Sequence, residues 1–186
     1  MNKFFAHFKT ITHHRHLVMR ACFSVGLYKQ GLLHDLSKYS PTEFFVGVKY
    51  YQGNMSPNNA ERKDKGVSLA WLHHKGRNKH HFEYWIDYGL EGNHCMTGMP
   101  MPVNYIVEMY CDRVAACKNY QKEKYTDSSA LEYFERGRDK YMMNDKTYDL
   151  IYHLLKYLAE NGEAATNSYI RKNILHNEYY FLRNNV

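Results

Sequence analysis

Apolar residues recur along this chain at three- and four-residue steps, the spacing of helices that bury one face. Over residues 3–28, Phe4, Phe8, Ile11, Val18, Cys22 and Val25 share a face and predict a long helix. His14 stands three after Ile11 and four before Val18, so it points near the core side. His13 and His16 fall roughly 150° from the centre of that face at about 100° per residue. Gly26 and Gly31 mark a break, and residues 32–38 predict a short helix. Ser40-Pro41-Thr42-Glu43 carries an N-cap, a proline at the first helical position and an acid in the first turn. A helix from 41 to about 51 follows. Residues 52–59 are turn-rich, and residues 60–66 are charged and read as exposed.

Residues 68–74 predict another helix. Val67, Trp71 and His74 share one stripe of it, Leu69 and His73 another, so periodicity does not choose between the two histidines. Residues 75–78 break the pattern, and 79–88 read as helix resuming. Residues 91–102, with Gly92, Gly98, Pro100 and Pro102, read as a flexible loop. A clear helix spans 103–121, with Val103, Val107, Tyr110, Val114 and Cys117 as its stripe. Asp112 lies off that stripe, so the pattern does not show it to be buried. Residues 129–141, 147–160 and 164–183 predict three further helices, the second ending before Gly162. No alternating run predicts a sheet, and the expected fold is an all-α bundle in one domain over 1–186.

A chain of 186 residues is long enough for one substantial core, and its 18 tyrosines make that core aromatic. No apolar run of about 18 or more residues exists, so no membrane span is expected. The N-terminus lacks a secretory apolar stretch, and cytoplasm is the expected compartment. None of Cys22, Cys95, Cys111 and Cys117 forms a C-x-x-C pair, which excludes zinc-ribbon and thioredoxin-like readings. A net charge of +6 suits an anionic ligand such as a phosphate ester, or is simply a solvated surface. The basic residues are spread out, and no recognised nucleic-acid module appears.

The candidate chemistry lies in the histidines. His34-Asp35 stands in the apolar string Leu32-Leu33-His34-Asp35-Leu36, and burying such a pair without partners costs several kcal/mol. A divalent first-row metal offsets that, because imidazole nitrogen and carboxylate oxygen are good ligands for it. His14 precedes the pair; His73, His74, His80 and His81 follow it in one cluster, and Asp112 comes after. The cluster also reads as a polar loop, and Asp112 also reads as a surface carboxylate. His7, His94, His153 and His176 join no constellation and read as structural or surface residues.

The order His14, His34-Asp35, histidine cluster, Asp112 resembles the HD superfamily of all-helical metal-dependent enzymes, mostly phosphohydrolases. His34-Asp35-Leu36-Ser37-Lys38 matches its HDxxK form, and the stretches 31–44 and 68–85 look like an uncharacterised bacterial branch. The resemblance covers about residues 10–120 and implies a metal core there, with the C-terminal helices of 129–183 outside it. It implies that His14, His34, Asp35 and Asp112 hold one divalent ion (Fe, Mn, Zn, Co or Ni). Asp35 would bridge to a second ion held by one histidine of His73/His74 and one of His80/His81, with His74 and His80 preferred. Two ions about 3.5–4 Å apart activate a water and clamp a phosphoryl oxygen. The implied activity is hydrolysis of a small phosphate ester, a nucleotide among the candidates, with Asp35 and Lys38 in catalytic roles. Lys38, Lys75, Arg77, Lys79 and Arg113 would take the phosphate charge, and Glu83 or Glu108 would orient a ligand histidine. HD-type mixed-valent di-iron oxygenases use the same ligand types, and a regulatory protein that binds metal without turnover is a third reading. Oligomeric state has no signature in the sequence.

Overall fold

The computed structural model describes residues 2–89 and 95–175. Its helices are α1 (Lys3–Val25), α2 (Tyr28–Leu33), α3 (Pro41–Lys49), α4 (Pro57–Lys65), α5 (Leu69–Lys75), α6 (Val103–Gln121), α7 (Ser129–Glu135) and α8 (Asp145–Tyr169), with one π-helical turn at Ile170–Ile174. Short 3₁₀ turns at Leu36–Tyr39 and Phe82–Trp85 carry the chain between them. The fold is all-α apart from one small hairpin. Among the described residues no helix is long and apolar enough to cross a membrane.

Helix α6 is the axis. It packs against α1, α7 and α8 and is buried continuously from Ile106 to Cys111. Val18 and Cys22 of α1, Phe134 of α7 and Leu150, Ile151, Leu154, Leu155 and Leu158 of α8 close the core around it. Asn2 opens α1 by accepting a hydrogen bond from the Phe4 backbone N–H, and Gly26 closes it in the left-handed region. The buried face of α1 is His7, Ile11, His14, Val18, Cys22 and Val25. His7 thus takes the inward place expected of Phe4 and Phe8, which stay 40% and 46% exposed and meet Phe44 edge-on.

Other expectations are corrected. The stretch 79–88 does not continue as helix: Ile86–Tyr88 is strand β1, paired antiparallel with β2 (Met96–Gly98) in the register Ile86↔Gly98. The loop expected over 91–102 therefore contains a strand. Gly98 is required there, because a Cβ would come within 2.5 Å of the Asn144 backbone nitrogen. The turn-rich stretch expected over 52–59 gives way to helix α4 at Pro57, and of the charged residues 60–66 expected to be exposed, 62–66 are exposed while Glu61 is fully buried. The Glu61 carboxylate accepts from Ser68 Oγ at 2.7 Å and from the Ala70 backbone N–H at 3.4 Å, at the start of α5. The helix predicted over 129–141 ends at Glu135, with a 3₁₀ turn at Arg138–Lys140. The break at Gly162 is a kink inside α8, where φ is 78° and ψ 168°. His94, His176, residues 91–94 of the expected loop and the predicted helix beyond 175 lie outside the described residues.

Candidate metal centre

The predicted short helix over 32–38 is broken at its centre. Helix α2 ends at Leu33, and Asp35 sits at the junction with φ +53°, in the left-handed region. Holding a non-glycine residue there costs about 1–2 kcal/mol. The kink turns His34 and Asp35 inward, to 2% and 1% exposure, while Leu32, Leu33 and Leu36 face out, each about half exposed. The apolar string thus presents its leucines outward and its polar pair to the interior.

Each oxygen of Asp35 faces a different set of side chains. Oδ2 lies 2.6 Å from Lys38 Nζ, 3.3 Å from His34 Nε2 and 3.7 Å from His14 Nε2. Asp112 Oδ1 completes this side, 3.0 Å from His14 Nε2 and 3.6 Å from His34 Nε2. Oδ1 lies 3.3 Å from His74 Nε2 and 3.5 Å from His80 Nε2, and His81 Nε2 is 2.9 Å from His74 Nε2. Among the described residues, two potential ligand groups share Asp35: His14, His34, Asp35 and Asp112; and Asp35, His74, His80 and His81. Four ligands at about 2.0–2.2 Å from one ion in a tetrahedron stand about 3.3–3.6 Å apart, close to these separations.

The donor atoms fit a cation. His14 Nε2, His34 Nε2, His80 Nε2 and both Asp35 oxygens are buried without a hydrogen-bond partner, Lys38 forming an ion pair with Oδ2. A buried polar atom left without a partner costs about 1–3 kcal/mol, and the three Nε2 atoms and Asp35 Oδ1 converge in this state.

A layer of carboxylates stands behind the histidines. Glu108 Oε1 accepts from His34 Nδ1 at 2.9 Å and from His80 Nδ1 at 3.1 Å. Glu43 accepts from His73 Nδ1 at 2.7 Å and from His74 Nδ1 at 2.8 Å. The bonds to His34, His74 and His80 put a proton on Nδ1 and turn Nε2 towards the centre, whereas His73 lies outside it. Burial raises the pKa of Asp35, but His34, Lys38 and His74 outweigh it and hold it well below the usual carboxylate range. Asp112, Glu108 and Glu43 are likewise lowered against burial by their histidines. Burial opposes charge on His34 too, yet Asp35, Asp112 and Glu108 hold its pKa well above the ordinary value. The cluster is thus a set of ionised carboxylates that calls for positive charge. Without metal, protons on histidine supply part of it.

The family model of DUF5662, a family of unknown function, matches residues 3–157. The chain belongs to DUF5662. No curated protein and no solved structure matches it. The matched span contains both ligand groups together with Glu43 and Glu108.

In this DUF5662 chain His14, His34, Asp35 and Asp112 come together as one group. Of the two adjacent histidine pairs, His74 enters the second group while His73 turns to Glu43, outside both. His80 and His81 both enter the second group. Burial first, then the neighbouring His80 and His74, push the His81 pKa well below its ordinary value. Glu108 bonds His34 and His80, one histidine from each group, whereas Glu83 makes no bond to a histidine among the described residues. Glu43 was missed because its place three after Ser40 reads as a helix-start acid; its return contact to α5 has no sequence signal.

The basic residues divide. Lys38 is partly exposed beside Asp35; burial opposes its charge, but Asp35 and Asp112 hold its pKa above the ordinary value. Lys75 is half-buried and Arg77 exposed, with Arg77 Nη1 3.4 Å from the His73 carbonyl. Lys79 Nζ lies over the rings of Tyr84 and Tyr105 at 5.7 and 5.9 Å. Arg113 packs its guanidinium on Phe134 and Tyr141, at 5.0 and 5.5 Å.

Proposed function

We propose that this chain is a metal-dependent phosphohydrolase of the HD type, acting on a small phosphate ester, nucleotides included. The observation that carries the reading is the division of Asp35: one buried carboxylate turns one oxygen to each of two ligand groups, among which the Nε2 atoms of His14, His34 and His80 have no hydrogen-bond partner. His14, His34, Asp35 and Asp112 would hold one ion; Asp35 with His74, His80 and His81 would hold the other. Divalent ions held there would supply an activated water at neutral pH and positive charge against phosphoryl oxygens. The chain itself orients and charges the site. Glu43 and Glu108 fix the ring tautomers, and Asp35 is shared between the groups. Lys38, ion-paired on Oδ2 and partly open to solvent, is the cation placed to meet a phosphate oxygen at the edge of the site.

The test is phosphate release from nucleoside monophosphates and p-nitrophenyl phosphate by apoprotein reconstituted with Mn²⁺, Co²⁺, Ni²⁺, Zn²⁺ or Fe²⁺ under nitrogen. Metal-dependent release that falls more than about 100-fold in Asp35→Asn supports the proposal. No release with any metal, or an unchanged rate in Asp35→Asn, refutes it. The three imidazoles of the second group favour one further reading, an iron-dependent oxygenase. Product that forms only with iron and oxygen would select it.

A further inference from the structure

Glu108 touches the candidate centre twice through a single atom. Its Oε1 accepts the Nδ1 protons of both His34 and His80, at 2.9 and 3.1 Å. The two rings lie nearly against each other, with centroids 4.4 Å apart and planes 33° from parallel. Their opposite edges diverge: His34 Nε2 faces Asp35 Oδ2 at 3.3 Å, and His80 Nε2 faces Asp35 Oδ1 at 3.5 Å. One histidine therefore belongs to the first ligand group and the other to the second. Glu108 is 5% exposed and lies four residues before Asp112 on α6, so one turn of one helix carries a ligand and the support of two others.

Resting on the dinuclear reading of the site, we infer that Glu108 is one positioning residue for both ions, tying the two metal sites together through a shared oxygen. Each Nδ1–H···Oε1 bond fixes a tautomer and a ring orientation, and the charge on the carboxylate strengthens both imidazoles as ligands. Removing that charge weakens both sites at once. Glu43 provides the contrast. It spends one oxygen on the ligand His74 and the other on His73, which stands outside both groups, so it supports one ion only. His34, His80 and Glu108 also come close enough together to hold an ion of their own. Their contacts of 2.9 and 3.1 Å are hydrogen-bond lengths, and both rings are turned with Nε2 to Asp35.

The experiment titrates Co²⁺ into metal-free wild type, Glu108→Gln and Glu43→Gln, following heat and the visible cobalt spectrum. Circular dichroism and Tm establish that each variant is folded. Wild type takes up two equivalents. In Glu108→Gln both equivalents weaken, by about 10–100-fold each, while in Glu43→Gln one weakens and the other holds. Weakening of one equivalent only, or of neither, in Glu108→Gln overturns the inference, and so does a third equivalent lost with Glu108. Fewer than two equivalents in wild type overturns the dinuclear reading itself, a separate failure. Should Glu108→Gln not fold, histidine-¹⁵N NMR of the Zn²⁺-loaded wild type decides. Both rings then carry a proton on Nδ1 and metal on Nε2; metal on Nδ1 of either ring refutes the shared support.

Discussion

His7 makes the stability of this fold depend on pH below 6.5, a window it shares with His81, so its share is read as the difference between wild type and a His7 variant. Its ring is 5% exposed, packs against Phe44 and Tyr51, and has its Nδ1 buried without a partner. Burial first, and the charge of Lys38 second, lower its pKa from 6.5 to about 4. The unfolded chain therefore takes up a proton that the folded chain refuses between those two values. Stability from a neutral His7 is complete above pH 6.5 and drains away as pH falls towards 4. At about 1.36 kcal/mol per pH unit the full loss approaches about 3 kcal/mol, of which about 2 kcal/mol is gone by pH 5. The carboxylates with lowered pKa values contribute at more acid pH, while His81, lowered like His7, acts in both proteins and cancels in the comparison. The assay is urea unfolding of wild type and His7→Leu at pH 7.5, 6.5, 5.5 and 5.0. Wild type loses about 2 kcal/mol more than His7→Leu between the ends of that range. Parallel pH profiles for the two proteins would refute the reasoning.

The packing around the centre gives two further tests. Gly47→Ala places a Cβ 2.1 Å from His7 Nε2, so the ring or helix α3 must shift; chemical denaturation is expected to show a loss of about 1–3 kcal/mol. A wild-type midpoint in that variant contradicts the packing. Glu61→Ala takes the buried acceptor from Ser68 Oγ and the Ala70 N–H, loosening the start of the helix that carries His74. It should cost about 1–3 kcal/mol and weaken metal binding. Undiminished stability would mean that water replaces the carboxylate without penalty.

Much of this architecture was legible because α1 buries one face only. Ile11, Val18, Cys22 and Val25 gave the stripe, and the stripe pointed His14 inward. The same method misplaced Phe4 and Phe8, because it counts apolar residues and the inward place belongs to a histidine. Asp112 was undecidable from periodicity for the opposite reason. Helix α6 is buried from Ile106 to Cys111, and a helix packed all round has no polar face to read against. The strands Ile86–Tyr88 and Met96–Gly98 are three residues each, too short for a period-two signal. Helix α4 has almost no apolar residue and reads as charged surface, although Ser56, Pro57 and Gly66 are its start and stop signals. His73 and His74 were separated only by the fold, since the choice depends on where Glu43 of α3 meets α5.

The central claim is that this cluster holds two metal ions bridged by Asp35. Its most direct test is elemental analysis of the protein purified without a histidine tag and reconstituted with Mn²⁺, Fe²⁺, Co²⁺ or Zn²⁺, beside a His34→Ala/Asp35→Ala double variant. The account predicts about two equivalents in wild type and none bound tightly in the variant. One equivalent would remove His74, His80 and His81 from the coordination, and no metal under any condition would contradict the account altogether.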